Sequence, residues 1–106
     1  MKGRGICLAR YGAGSSRSAL VAEVEVERAT GQVRVMRASI AFDCGLVINP
    51  DGLLNQIEGG VIQTVSRTLM EQVQWEGTKV TSVDWVSYPI LRFPAIPKVE
   101  IGRAHV

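Results

Sequence analysis

The sequence predicts an α+β fold in which antiparallel β-hairpins pack with one long amphipathic helix. Three observations carry this prediction. Residues 20–42 alternate with a period of two on either side of Thr30-Gly31. Residues 50–72 instead place apolar side chains at three- and four-residue steps. Asn49-Pro50 marks where the second pattern begins, as a capping residue followed by a proline suited to the first helical position.

The elements follow in order. Residues 1–18 are rich in Gly, Ser and Arg, with Ile6, Leu8 and Tyr11 compatible with a short strand and Gly12-Ala13-Gly14-Ser15-Ser16 with a loop. From Ala19, Leu20, Ala22, Val24 and Val26 alternate with Val21, Glu23, Glu25 and Glu27. After Thr30-Gly31, the run Val33, Val35, Ala38, Ile40 and Phe42 completes a hairpin with one packed and one wet face. Glu23, Glu25 and Glu27 face Arg34 in a way that allows cross-strand charge pairs, which are structural support rather than a site.

The helix is expected from Pro50 to about Gln72, with Asp51 at the positive end of its dipole. Leu54, Ile57, Val61, Val65, Leu69 and Met70 form its apolar stripe, and Gln56, Gly60, Gln63 and Arg67 lie opposite. Val73-Gln74-Trp75, Glu76-Gly77 and Val80-Thr81 predict a second, shorter hairpin. Ser87-Tyr88-Pro89 and Ile90-Leu91-Arg92-Phe93 read as extended, and Pro94 and Pro97 limit regular structure beyond them.

Composition excludes several function classes. The 106 residues suffice for one domain, and 46% hydrophobic with 21% charged content is ordinary for a soluble protein. The net charge of +2 is spread among acidic residues, so no nucleic-acid partner is expected. No stretch approaches the roughly 20 apolar residues of a membrane span. Met1-Lys2-Gly3-Arg4-Gly5 opens no secretory signal. The expectation is a soluble protein, cytoplasmic or periplasmic. Cys7 and Cys44 form no CxxC pair and His105 is the single histidine, so no protein-ligated metal is expected. The favoured reading of the cysteines is two buried thiols, and their spacing leaves a disulfide open.

Asp43-Cys44-Gly45 followed by Asn49-Pro50 and Gln56-Ile57-Glu58-Gly59-Gly60 is the most specific stretch. It joins Ala22-Glu23-Val24-Glu25-Val26, Thr30-Gly31-Gln32-Val33-Arg34-Val35, Leu69-Met70-Glu71-Gln72 and Ser87-Tyr88-Pro89-Ile90-Leu91-Arg92-Phe93 in a fixed order. This order resembles the second molybdopterin-binding region of the large subunit in the xanthine dehydrogenase and aldehyde oxidase family. The wording around Thr68 to Val73 and Ser87 to Phe93 is most similar to the isoquinoline 1-oxidoreductase and nicotinate dehydrogenase branch.

The resemblance implies residues 1–99 are part of a molybdopterin-binding domain. It implies cofactor contact for Gln56, whose amide offers donors and an acceptor to a heterocycle edge, and for Gly59 and Gly60. Each glycine costs about 1 kcal/mol in a helix interior relative to alanine. Close approach of a cofactor, or tight packing of the helix on the sheet, would account for that cost. Read as a bare helix, Gln56 and Gln63 are simply a solvent face. Glu58, near Leu54, Val61 and Val65, could be a buried carboxylate; the resemblance implies a structural role rather than a catalytic one.

The family's upstream glycine-rich cofactor loops and its downstream catalytic glutamate have no counterpart here. No catalytic residue is therefore assigned, and the 106-residue chain is expected to be inactive and to retain no cofactor. The parent enzyme would hydroxylate N-heterocycles or oxidise aldehydes with water, using molybdopterin in a dinucleotide form. Its partners would be the remainder of the large subunit and an iron–sulfur subunit. Glu100-Ile101-Gly102-Arg103-Ala104-His105-Val106 resembles the in-frame translation of a short-read sequencing adapter, so residues 100–106 are expected to be a non-native tail without packing role. The alternative is a non-catalytic protein-interaction module, docking through the helix or a sheet edge.

Overall fold

A computed structural model describes residues 1–13 and 16–103. The order is β1 (Lys2–Tyr11), β2 (Ser16–Val26), β3 (Val33–Asp43), α1 (Pro50–Leu69), β4 (Trp75–Glu76), β5 (Lys79–Val80), a 3-10 turn (Phe93–Ala95) and β6 (Lys98–Arg103). Four strands form one sheet in the order β1-β2-β3-β6, and β4 and β5 pair separately.

The predicted β2–β3 hairpin is present. Gly31 closes it with φ +74°, a left-handed conformation that favours glycine, and its N–H donates to Glu27 O at 2.7 Å. The register shifts between Glu23 and Val24, whose partners are Arg37 and Val35, so Met36 is the extra residue of a bulge in β3. The expected charge pairing with Arg34 is corrected. Arg34 stands opposite Glu25, but its guanidinium donates to Pro94 O at 3.1 Å. Glu23 instead pairs with Arg4 on β1 at 3.6 Å.

β1 is longer than the short strand expected, because its whole length pairs antiparallel with β2 from Lys2↔Glu25 to Tyr11↔Ser16. As an edge strand it leaves Cys7 exposed, while Cys44 is half-buried; both are free thiols, which corrects the expectation of two buried ones. Gly14 and Ser15 of the expected loop lie outside the described residues, and Ser16 already belongs to β2.

The other edge differs most from expectation. β6 runs parallel to β3, from Arg37↔Lys98 to Phe42↔Arg103, so the sheet is mixed rather than wholly antiparallel. Residues 100–103 therefore have a structural role, which corrects that part of the tail expectation. Strand addition depends on backbone groups, and the open edge of β3 supplies them. Ala104, His105 and Val106 lie outside the described residues.

The helix lies against β3 and β6. It ends at Leu69, three residues before the expected Gln72, because Ser66 O takes the amides of both Met70 (2.9 Å) and Glu71 (3.2 Å). The covered strip is narrow. Ala38, Ile57 and Val61 are the buried hydrophobic residues, with Ser66 the buried polar one, among the described residues. The accessible surface is 8213 Å², against about 5,800 Å² for a compact chain of this mass. The radius of gyration is 16.4 Å, against about 13 Å for a compact domain. Among the described residues, no helix is long and apolar enough to cross a membrane.

The span read as extended, residues 87–93, departs from that reading at its two ends: Ser87 closes a turn and Phe93 opens the 3-10 turn, while Arg92 is extended. Asp84 Oδ1 accepts from Val86 N–H (3.1 Å), Ser87 N–H (2.9 Å) and Ser87 Oγ (2.8 Å), so Asp84–Ser87 folds as a side-chain-closed turn. This network holds the Asp84 carboxyl below its usual range, through Ser87 first.

Candidate functional site: an open polar face on the helix

The site begins at the end of β3. Asp43 Oδ1 accepts from Gly45 N–H at 3.0 Å, and Gly45 sits at φ +79°. The pair turns the chain out of the sheet, which accounts physically for the Asp-Cys-Gly order. Asn49 then caps α1, its Oδ1 accepting from Gly52 N–H at 3.0 Å, with Pro50 in the first turn as the sequence predicts.

With the start set by that cap and the inward face set by Ile57 and Val61, the outward face carries Gln56, Gly59, Gly60 and Gln63, all exposed. A Cβ built on Gly59 or Gly60 meets nothing within 4 Å. Tight packing of the helix on the sheet is thus not why glycine stands there. Next along this face, Thr64 Oγ1 donates to Gly60 O at 2.8 Å, and Arg67 Nη2 donates to Thr64 Oγ1 at 3.4 Å.

Gln56, Gly59 and Gly60 line neither of the two hollows beside the helix. One, of about 190 Å³, is bounded by Cys44, Gly45, Val47, Pro50 and Leu53. The other, of about 1,130 Å³, lies between the β2–β3 hairpin and the end of α1. The three residues form an open strip, with an amide beside two positions free of side chain. A planar polar group can approach such a backbone closely.

Glu58 is corrected. It is exposed and makes no hydrogen bond or ion pair among the described residues. Of the four strands α1 lies against β3 and β6, and Glu58 falls beside the strip that Ile57 and Val61 occupy. Among the described residues, no group of three or more His, Cys, Asp or Glu side chains could hold a metal ion.

Sequence reasoning missed a second cluster. Leu91 N–H donates to Ser66 Oγ at 3.0 Å, and Tyr88 OH donates to a Glu71 carboxylate oxygen at 2.9 Å. Ser66, then Tyr88, hold Glu71 below the ordinary carboxylate range, while Glu71 and burial push the Tyr88 hydroxyl up. The available signal was a small polar residue, Ser66, beside Val65 on the inward side of the stripe.

Residues 8–97 match the family described as the molybdopterin cofactor-binding domain. The chain belongs to that family. The matched span of this molybdopterin-binding domain holds the β2–β3 hairpin, all of α1 and the Ser66–Glu71–Tyr88 cluster, and stops immediately before β6. The domain is 45% identical over 107 residues to a nicotinate dehydrogenase chain of Pseudomonas putida, covering 95% of this chain and 9% of that protein. It is 37% identical to an isoquinoline 1-oxidoreductase chain of Brevundimonas diminuta, covering 78% of this chain and 11% of the relative. Its fold is similar to that of quinoline 2-oxidoreductase from Pseudomonas putida, with a TM-score of 0.80 and 27% identity over 86% of this chain and 12% of the other. The chain thus spans about a tenth of the length of these relatives.

Proposed function

We propose that this chain supplies one wall of the molybdopterin site in the large subunit of a molybdenum hydroxylase, with Gln56, Gly59 and Gly60 against the cofactor. The observation that carries the reading is the open strip on α1: an amide next to two helix glycines whose missing side chains face free space. A glycine pair in a helix interior is destabilising unless something uses the room. Gln56 would hold the pterin edge through its amide, and Gly59 and Gly60 would let backbone come close. The bound group would supply the redox chemistry; these residues bind and orient it.

The parent enzyme, on this reading, oxidises N-heterocycles or aldehydes with water, and its cofactor is in a dinucleotide form. The names of the relatives support the substrate class: nicotinate dehydrogenase, isoquinoline 1-oxidoreductase and, at 39% identity, an indole-3-acetaldehyde oxidase of Arabidopsis thaliana. The isolated chain would be inactive and would not retain cofactor. Its surplus of exposed surface, with Leu46, Ile48, Val86 and Phe93 each at least 85% exposed, supports cover by the remainder of the large subunit. An iron–sulfur subunit would receive the electrons. On this reading residues 1–99 are the partial domain and residues 100–106 a non-native tail; Lys98-Val99 begin the edge strand, and residues 100–103 continue it through backbone pairing.

The test is made in the full-length parent. Gln56→Ala should lower molybdenum and pterin content, costing about 1–3 kcal/mol of cofactor affinity as a polar partner is lost. Gln63→Ala, two turns along the same face, serves as control. Full loading and unchanged activity of Gln56→Ala would return Gln56 to an ordinary solvent-facing residue.

A further inference from the structure

Beyond Ser82 the chain crosses from β5 towards β6 without a strand of its own. Tyr88 reaches Glu71, Leu91 reaches Ser66, and Pro94 O takes Arg34 from β3. We infer that Ser66, Glu71 and Tyr88 form a clasp that holds residues 87–96 as a strap, closing one side of the groove between the end of α1 and the β2–β3 hairpin.

The geometry gives each residue a distinct part. Ser66 is 5% exposed. Its carbonyl ends the helix, and its hydroxyl accepts from the Leu91 amide, a half-buried donor that would otherwise lack a partner. Glu71 lies two residues past the helix end, where its carboxylate receives the Tyr88 hydroxyl. The clasp therefore joins the point where α1 stops to the point where the strap begins.

The strap itself is stiff at both ends. Asp84–Ser87 is closed by the three bonds to Asp84 Oδ1, which presents Tyr88 in one place. At the far end, Ala95 N–H donates to Arg92 O (3.0 Å) and Ile96 N–H to Phe93 O (3.2 Å), with Pro94 and buried Pro97 fixing φ. A segment stiff at its ends and held by side-chain bonds between them opens as one unit. Leu91, Pro94 and Ala95 line the groove together with Val65, Leu69 and Val33.

Amide hydrogen exchange on the 106-residue chain tests this. Ser66→Ala should speed exchange at Leu91, Ala95 and Ile96 together by at least about tenfold, the scale of one lost buried hydrogen-bond partner. Protection of the paired β2–β3 amides should stay at the wild-type level. Tyr88→Phe, which keeps the ring, should raise the same strap amides by a smaller factor. Asn49→Ala should leave them unchanged. Three results would overturn the inference: no protection of Leu91 in the wild type, an equal rise in strap and sheet, or a rise confined to Leu91.

Discussion

Arg37 on β3 holds Glu100 on β6 through both Nε, at 3.0 Å, and Nη2. Lys98 Nζ approaches the other Glu100 oxygen at 3.1 Å. In the antiparallel part of the sheet Arg37 stands opposite Glu23, which meets Arg4 at 3.6 Å. Charges of alternating sign thus cross all four strands on the face that α1 leaves open: Arg4, Glu23, Arg37, Glu100. Each pair is partly exposed and individually weak, but the order favours one register, since like charges opposed across strands are unfavourable.

The Arg37–Glu100 pair makes stability depend on pH. Arg37 first, then Lys98, hold the Glu100 carboxyl below the ordinary range. A carboxylate depressed on folding stabilises the fold above its unfolded pKa of about 4.3, and that contribution is lost as pH falls through the lower folded value. Glu100→Gln should therefore melt below wild type at pH 7, with the gap narrowing below about pH 4. Melting curves across that range check this; a gap independent of pH would show that the charge contributes nothing.

Removing residues 100–106 should lower the melting temperature. It takes away the Arg37 partner and the pairings from Ser39↔Glu100 to Phe42↔Arg103. Thermal melts of the 99-residue and 106-residue chains decide the matter. An unchanged melting temperature would mean that the edge of β3 gains nothing from this strand.

Gly59→Ala and Gly60→Ala should act in opposite directions in two settings. In the isolated chain the added methyl meets nothing within 4 Å, so each should stabilise by about 0.5–1 kcal/mol through helix propensity. In the parent enzyme the same methyl would occupy the space assigned to the cofactor, and molybdenum content should fall. Stabilisation in both settings with full loading would remove the two glycines from the site.

Asn49→Ala should cost about 1 kcal/mol, since Gly52 N–H loses its acceptor. The loss should appear as faster amide exchange in the first turn of α1. Equal exchange in the two proteins would show that Pro50 alone sets the helix start.

Much of the fold and part of the site were legible in the chain itself. The period of two through Leu20 to Val26 and the turn at Gly31 specified the hairpin, because a left-handed glycine and local alternation need no distant partner. Asn49-Pro50 specified the start of α1, and with it the outward position of Gln56, Gly59 and Gly60, because capping and helical spacing are local. Tertiary structure decided what depended on residues far apart in sequence. β1 is long only because β2 offers its whole length, and β6 is parallel only because the helix returns the chain to the same end of β3. Glu58 is exposed because α1 covers the sheet only along β3 and β6, although the helical spacing of its neighbours pointed inward. Ser66 meets Leu91 across twenty-five positions, a contact that no periodicity records, since only the path of the strap brings that amide to that hydroxyl.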